Sequence, residues 1–189
     1  MPIKIDYSKK AFSQSTSNLI LFSNDEFNNK DFKKYLSNSE FEYISELLKS
    51  SDLKKNLLTF EINSRKKIVL VSIKNNLRTS DIERLGAEFF GQVNYGKNSE
   101  YQLISDSVIG KNNYFLGHFL HGIKLKSYEF QKYKSKKNKR QISIIITGKK
   151  NKPSTQSQLS FKAIEEGTFY TRDLVSEPGN ILHPDEYAK

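Results

Sequence analysis

The sequence predicts an α/β fold, a mixed β-sheet layered with helices, on three observations. Strand-like runs alternate with stretches of helical periodicity along the chain. Two runs, LLTFEIN (57–63) and KIVLVSI (67–73), are separated only by Ser64, Arg65 and Lys66, close enough for an antiparallel hairpin. A length of 189 residues with 36% hydrophobic residues, 13 Phe and 10 Tyr suits one domain with a real core.

In chain order, residues 3–7 alternate apolar and polar, and NLILF (18–22) is a short apolar run; both read as strands. In SEFEYISELLKS (39–50), Phe41, Ile44, Leu47 and Leu48 share a helical face, with acids early and a lysine late as the helix dipole prefers. The hairpin follows, its second strand apolar enough to be central. Ser80 and Glu83 have the spacing of a capping box, and Ile82, Leu85, Phe89 and Val93 form the inward stripe of the next helix. YQLIS (101–105) reads as a strand; Leu116, Phe119, Leu120 and Ile123 sit at helical spacing; QISIIITG (141–148) is a strand stopped by Gly148. A long helix is expected over about 156–175, burying Ala163, Gly167, Tyr170 and Leu174. Beyond it, Pro178 and Gly179 break the helix, and Pro184 with Asp185 and Glu186 reads as a new helix start.

The absence of cysteine excludes a disulfide scaffold, thiolate metal sites and thiol nucleophiles. The first residues, MPIKIDYSKKAFSQ, hold no apolar core of signal-peptide length, and no apolar run approaches the ~20 residues that span a bilayer. A cytoplasmic protein without membrane association is expected. The net charge of +10 resides in residues 124–152, where eleven basic residues face the single acid Glu129; elsewhere the signs cancel. Interleaved with Tyr128, Phe130 and Tyr133, this segment is the alternative functional candidate. Lys134, Lys136, Lys137, Lys139 and Arg140 would contact nucleic acid through phosphates. With 26 Lys and 5 Arg such binding would be weakly selective, and a solvated basic loop is the plainer reading.

Other clusters carry less. His118 and His121, three apart on a predicted helix, lack a third metal ligand and read as ordinary, partly exposed histidines. Neighbouring carboxylates in Asp25–Glu26 and Glu165–Glu166 point apart and read as solvated surface. No glycine-rich turn offers a phosphate cradle: Gly110 and Gly148 are single, and Gly117 and Gly122 lie in a helix pattern.

Two stretches resemble one family. Thr171-Arg172-Asp173-Leu174-Val175-Ser176-Glu177-Pro178-Gly179-Asn180, then Leu182-His183-Pro184-Asp185-Glu186-Tyr187-Ala188, is similar to the Ala-Arg-Asp-Leu-Val-Asn-Glu-Pro-Ala-Asn and Leu-Thr-Pro-Glu-Glu-Phe-Ala of leucyl aminopeptidases, the cytosol aminopeptidase family. Upstream, His121 to Ser135 resembles that family's Glu-Gly-x-x-Leu-x-x-Tyr-x-Phe-x-x-Tyr-Lys-Ser. Ser176 stands where the family mostly has Asn, and His183 where Thr would cap the next helix, a cost of about 1 kcal/mol at most.

The resemblance implies a macro-domain-like N-terminal α/β domain at 1–175. It implies a connector at 176–189, marked by Arg172, Asp173, Leu174, Pro178, Asn180 and Pro184, leading into a catalytic domain. That domain would hold two divalent metals, Zn or Mn, in a homo-hexamer acting on peptides; some relatives also bind DNA. The family's Asn-Thr-Asp-Ala-Glu-Gly-Arg stretch is absent here, so no catalytic or metal role transfers to any residue of this chain. The expected work of these residues is subunit assembly and control of substrate access.

Overall fold

The computed structural model describes residues 3–8, 18–28, 30–93, 99–108, 114–136, 141–182 and 185. Six strands form one sheet: β1 (Ile3–Tyr7), β2 (Asn18–Asn24), β3 (Leu57–Glu61), β4 (Lys67–Ile73), β5 (Ser99–Ile104) and β6 (Ile142–Thr147), in the order β1-β6-β5-β2-β4-β3. Only the β3–β4 pair is antiparallel, which makes the sheet mixed as expected. Its turn is held by Asn63, whose Oδ1 accepts the N–H groups of Arg65 and Lys66.

Because both sheet faces are covered, β2 and β4 carry consecutive apolar residues, Leu19 to Phe22 and Ile68 to Val71, all buried, rather than alternating ones. In β2, Leu19 and Leu21 point to one side, where a short 3-10 turn (Lys30–Lys34), the residue after it and α1 (Asn38–Ser50) supply Phe32, Tyr35, Ile44 and Leu48. Ile20 and Phe22 point to the other, toward α2 (Thr79–Val93) and α3 (Phe115–Lys126). There Phe22 meets Phe119 edge-on at 5.3 Å and Phe115 at 5.5 Å; each buried ring contributes roughly 1.5–3 kcal/mol by burial.

Helices α2 and α3 pack backbone to backbone at two glycines. A Cβ on Gly86 would meet the Phe119 carbonyl, and one on Gly122 the Glu83 carbonyl. Outside α3 lies α4 (Thr155–Ser176), capped by Ser154 through Ser157 N–H.

Helix α1 begins on a full capping box, the Ser37 hydroxyl accepting from Glu40 N–H while Glu40 returns to Ser37 N–H. Two expectations need correction. Helix α2 does not start on a box of Ser80 and Glu83: the Arg78 carbonyl takes the first bonds, Asp81 reaches back to Arg78 N–H, and Glu83 is engaged elsewhere. Helix α4 buries Glu165 and Phe169, whereas Ala163, Gly167 and Tyr170 are exposed and Leu174 is half-buried. The anticipated stripe lies on the outward face. The Pro184 helix start lies outside the described residues.

Candidate functional site

The two family-like stretches meet at the far end of α3 and α4. Helix α3 ends at Ser127, whose N–H and hydroxyl both bond back into its last turn. This turns residues 128–136 alongside the C-terminal half of α4. Tyr128 stacks on Phe169 with ring centroids 5.5 Å apart and donates its hydroxyl to Asp173 at 2.7 Å. Arg172 donates to the Leu125 carbonyl at 2.7 Å, at a C-terminal turn of α3 that lacks helical donors, with its guanidinium 5.5 Å over the Tyr128 ring.

Glu177, the C-cap of α4, accepts from Lys132 at 2.6 Å and from the Tyr133 hydroxyl. Bonding to Lys132 and then Tyr133 holds the Glu177 carboxyl below the usual range. The same carboxylate raises Lys132 and Tyr133 above theirs. Burial, then Asp173, raises Tyr128.

Arg172 and Asp173 of the linker motif are therefore clasp residues. Leu174 gives its carbonyl to Glu177 N–H, and the Pro178 carbonyl accepts from Ile181 and Leu182 in a closing turn. Asn180 is exposed, and Pro184 lies outside the described residues. The clasp fixes where and in what direction the chain leaves α4.

The clasp also uses the aromatics of the basic segment. Tyr128 and Phe130 are half-buried, and Tyr133, though 51% exposed, packs on Phe130 at 5.8 Å and is bonded to Glu177. Lys134 and Lys136 project into solvent; Lys137, Lys139 and Arg140 lie outside the described residues.

A second cluster sits beneath the first half of α4. Glu165, 4% exposed, receives His121 Nδ1 at 3.0 Å on one oxygen and Lys124 Nζ at 2.7 Å on the other. A buried carboxylate costs several kcal/mol of lost hydration unless both oxygens are satisfied, and here they are. Burial first, and the Glu165 charge second, push the nearby Tyr7 hydroxyl up to about 12, so it remains a donor at neutral pH.

These findings correct two expectations: Glu165 is not solvated surface, and His121 is buried. His118, half-buried, bonds Glu83 at 2.8 Å through Nδ1. The two imidazoles thus face different carboxylates. The signal was present in the spacing Phe161, Glu165, Phe169, an i, i+4, i+8 stripe interrupted by one acid.

No group of three or more His, Asp or Glu side chains able to hold a metal ion occurs among the described residues, so the donors present do not fit the pair of divalent metals implied by resemblance. At the carboxyl edge of the sheet, where α/β folds bind anions, the backbone N–H groups of Lys149 and Lys150 are both taken by Asp106, at 2.8 and 2.6 Å. Gly148, at φ +123°, makes that approach possible; a Cβ there would meet Ser105 and Asp106. The hollow beside it, about 200 Å³, sets the two carboxylates of Asp31 and Asp106 against the single ammonium of Lys34, a poor surrounding for phosphate. No helix among the described residues is long and apolar enough to cross a membrane.

No family model matches the chain. Among curated proteins it is similar to probable cytosol aminopeptidases: 38% identical over 74 residues to that of Methylorubrum extorquens, covering 38% of this chain and 15% of the relative. The Clostridium perfringens protein is 31% identical over 132 residues, 65% of this chain and 27% of the relative. Among solved structures, a tomato leucine aminopeptidase mutant superposes with a TM-score of 0.69 at 19% identity, over 98% of this chain and 40% of that one. The bottromycin maturation enzyme BotP, solved in complex with Mn, follows at 0.62 and 14%, over 92% and 35%. The chain thus spans well under half the length of these relatives. Over part of its length the chain is similar in sequence to cytosol aminopeptidases, and its fold is similar to that of leucine aminopeptidase.

Proposed function

We propose that this chain is the non-catalytic N-terminal domain of a cytosolic leucyl aminopeptidase, a metal-dependent exopeptidase that releases N-terminal amino acids from peptides. Residues 1–175 form the domain, and 176–189 lead into a catalytic part carrying two divalent metals, Zn or Mn. The domain serves assembly of a homo-hexamer and limits which peptides reach the catalytic centre.

The observation that carries this reading is the outward face of α4. Ala163, Ile164, Gly167 and Tyr170 lie along it, with Ile164 55% and Tyr170 66% exposed. A helix so apolar on its solvent side is built to be covered. The relatives extend far beyond the matched stretch, which is 15% of one and 27% of another, and on this proposal the occupant is the catalytic part that lies in that further length. The clasp at Arg172, Asp173 and Glu177 sets the angle at which the chain departs toward it.

The test is peptidase activity. The isolated chain with added Mn or Zn is expected to leave leucyl peptides uncleaved, while the coding sequence read past Lys189 encodes a metal motif and its product cleaves them. Cleavage by the chain alone, or a stop codon after Lys189, overturns the proposal. Nucleic-acid binding by Lys134, Lys136 and their neighbours is the second reading. It is weakened by the engagement of Tyr128 and Tyr133 in the clasp, which takes away stacking faces.

A further inference from the structure

Among the described residues, none fills the space beneath α4. A cavity of about 290 Å³ opens between β1, α3 and the first half of α4, walled on its apolar side by Ile5, Leu120 and Phe161. That volume lies at the small end of ligand sites.

Its polar groups are unevenly satisfied. Glu165 has both oxygens bonded. His121 is 5% exposed, yet among the described residues only its Nδ1 has a partner. A neutral imidazole with its Nδ1–H toward the carboxylate presents its second nitrogen as an acceptor, and no donor to that nitrogen lies among the described residues. The Tyr7 hydroxyl lines the same cavity and has no hydrogen-bond partner among the described residues. Lys162 stands at the rim, with only a loose 3.7 Å contact to Glu166, both side chains 65% exposed. Among the described residues the lining charges are the ammoniums of Lys124 and Lys162 and the carboxylate of Glu165, so each end of a zwitterion finds an opposite charge.

From this arrangement we infer that the cavity is a binding site for a small α-amino acid with an apolar side chain. Its carboxylate lies between the ammoniums of Lys162 and Lys124 and accepts from Tyr7. The ammonium, placed beside the Glu165 carboxylate, donates to the free nitrogen of His121. The side chain lies against Ile5, Leu120 and Phe161. Binding stands on the cavity alone; that the amino acid is a released product, making this a product-sensing site, rests on the aminopeptidase reading.

The experiment is titration of the isotopically labelled chain with L-leucine, followed by amide NMR. Saturable shifts are expected near residues 5–7, 120–124 and 158–165, with a Kd of about 1 mM or tighter. Leucinamide, lacking the carboxylate, and 4-methylpentanoate, lacking the ammonium, should each bind roughly tenfold more weakly. Tyr7→Phe and Lys162→Met should weaken leucine binding severalfold without lowering the thermal midpoint. Absence of saturation, shifts confined to other regions, or equal binding of leucinamide or 4-methylpentanoate overturns the inference. Leucine binding by a protein whose longer form cleaves no peptide would defeat the aminopeptidase reading and leave this one standing.

Discussion

Arg172 ties the end of α3 to the last turns of α4 through one charged hydrogen bond and one ring contact. Arg172→Met keeps most of the side-chain bulk and removes the donor. The expected loss is about 1–2 kcal/mol in urea unfolding, because the Leu125 carbonyl is left without its partner. Glu177 gives the clasp a pH window. Its folded pKa is depressed, so its contribution is complete above the ordinary glutamate value of about 4.3 and is lost as pH falls through the lower folded value. Lys132 and Tyr133 are raised, so theirs is complete below ordinary values of about 10 and is lost as pH rises through the higher folded ones. Tyrosinate absorbance should show Tyr133 ionising late in the native chain and normally in Glu177→Gln. Identical titrations would remove Glu177 as the cause.

At the scale of elements, the α2–α3 crossing depends on two absent side chains. Gly86→Ala and Gly122→Ala each force a methyl into the neighbouring backbone and should destabilise by about 3 kcal/mol. Gly167→Ala, with nothing within 4 Å, should stabilise the isolated chain by about 1 kcal/mol through helix propensity; chemical denaturation of the three variants checks the contrast. Strands and helices were legible in the sequence because their periodicity is local: β2 and β4 read as apolar runs, and α3 as Leu116, Phe119, Leu120 and Ile123, all buried. The inward face of α4 was not. A second stripe, through Ala163, Gly167 and Tyr170, points outward, and periodicity alone does not tell which of two stripes a helix turns to its own sheet when the inward one is interrupted by Glu165. The clasp was visible only as two motifs in order; their contact needs the turn at Ser127. The Glu165 cluster joins residues 44 apart, beyond local pattern.

For the whole molecule, the proposed division of labour gives this chain the scaffold with an outward-facing helix and a longer protein the part that covers it. The absence of cysteine makes that division measurable, since Tyr170→Cys creates a unique thiol on the outward face of α4 and Asn75→Cys one on the exposed loop after β4. Rates of thiol labelling are compared in the isolated chain and in the protein extended through its downstream coding sequence, freed of other accessible cysteines. The account predicts fast labelling at both positions in the isolated chain, and in the longer protein a severalfold slowing at position 170 with no change at 75. Equal rates at position 170 in both proteins would contradict it.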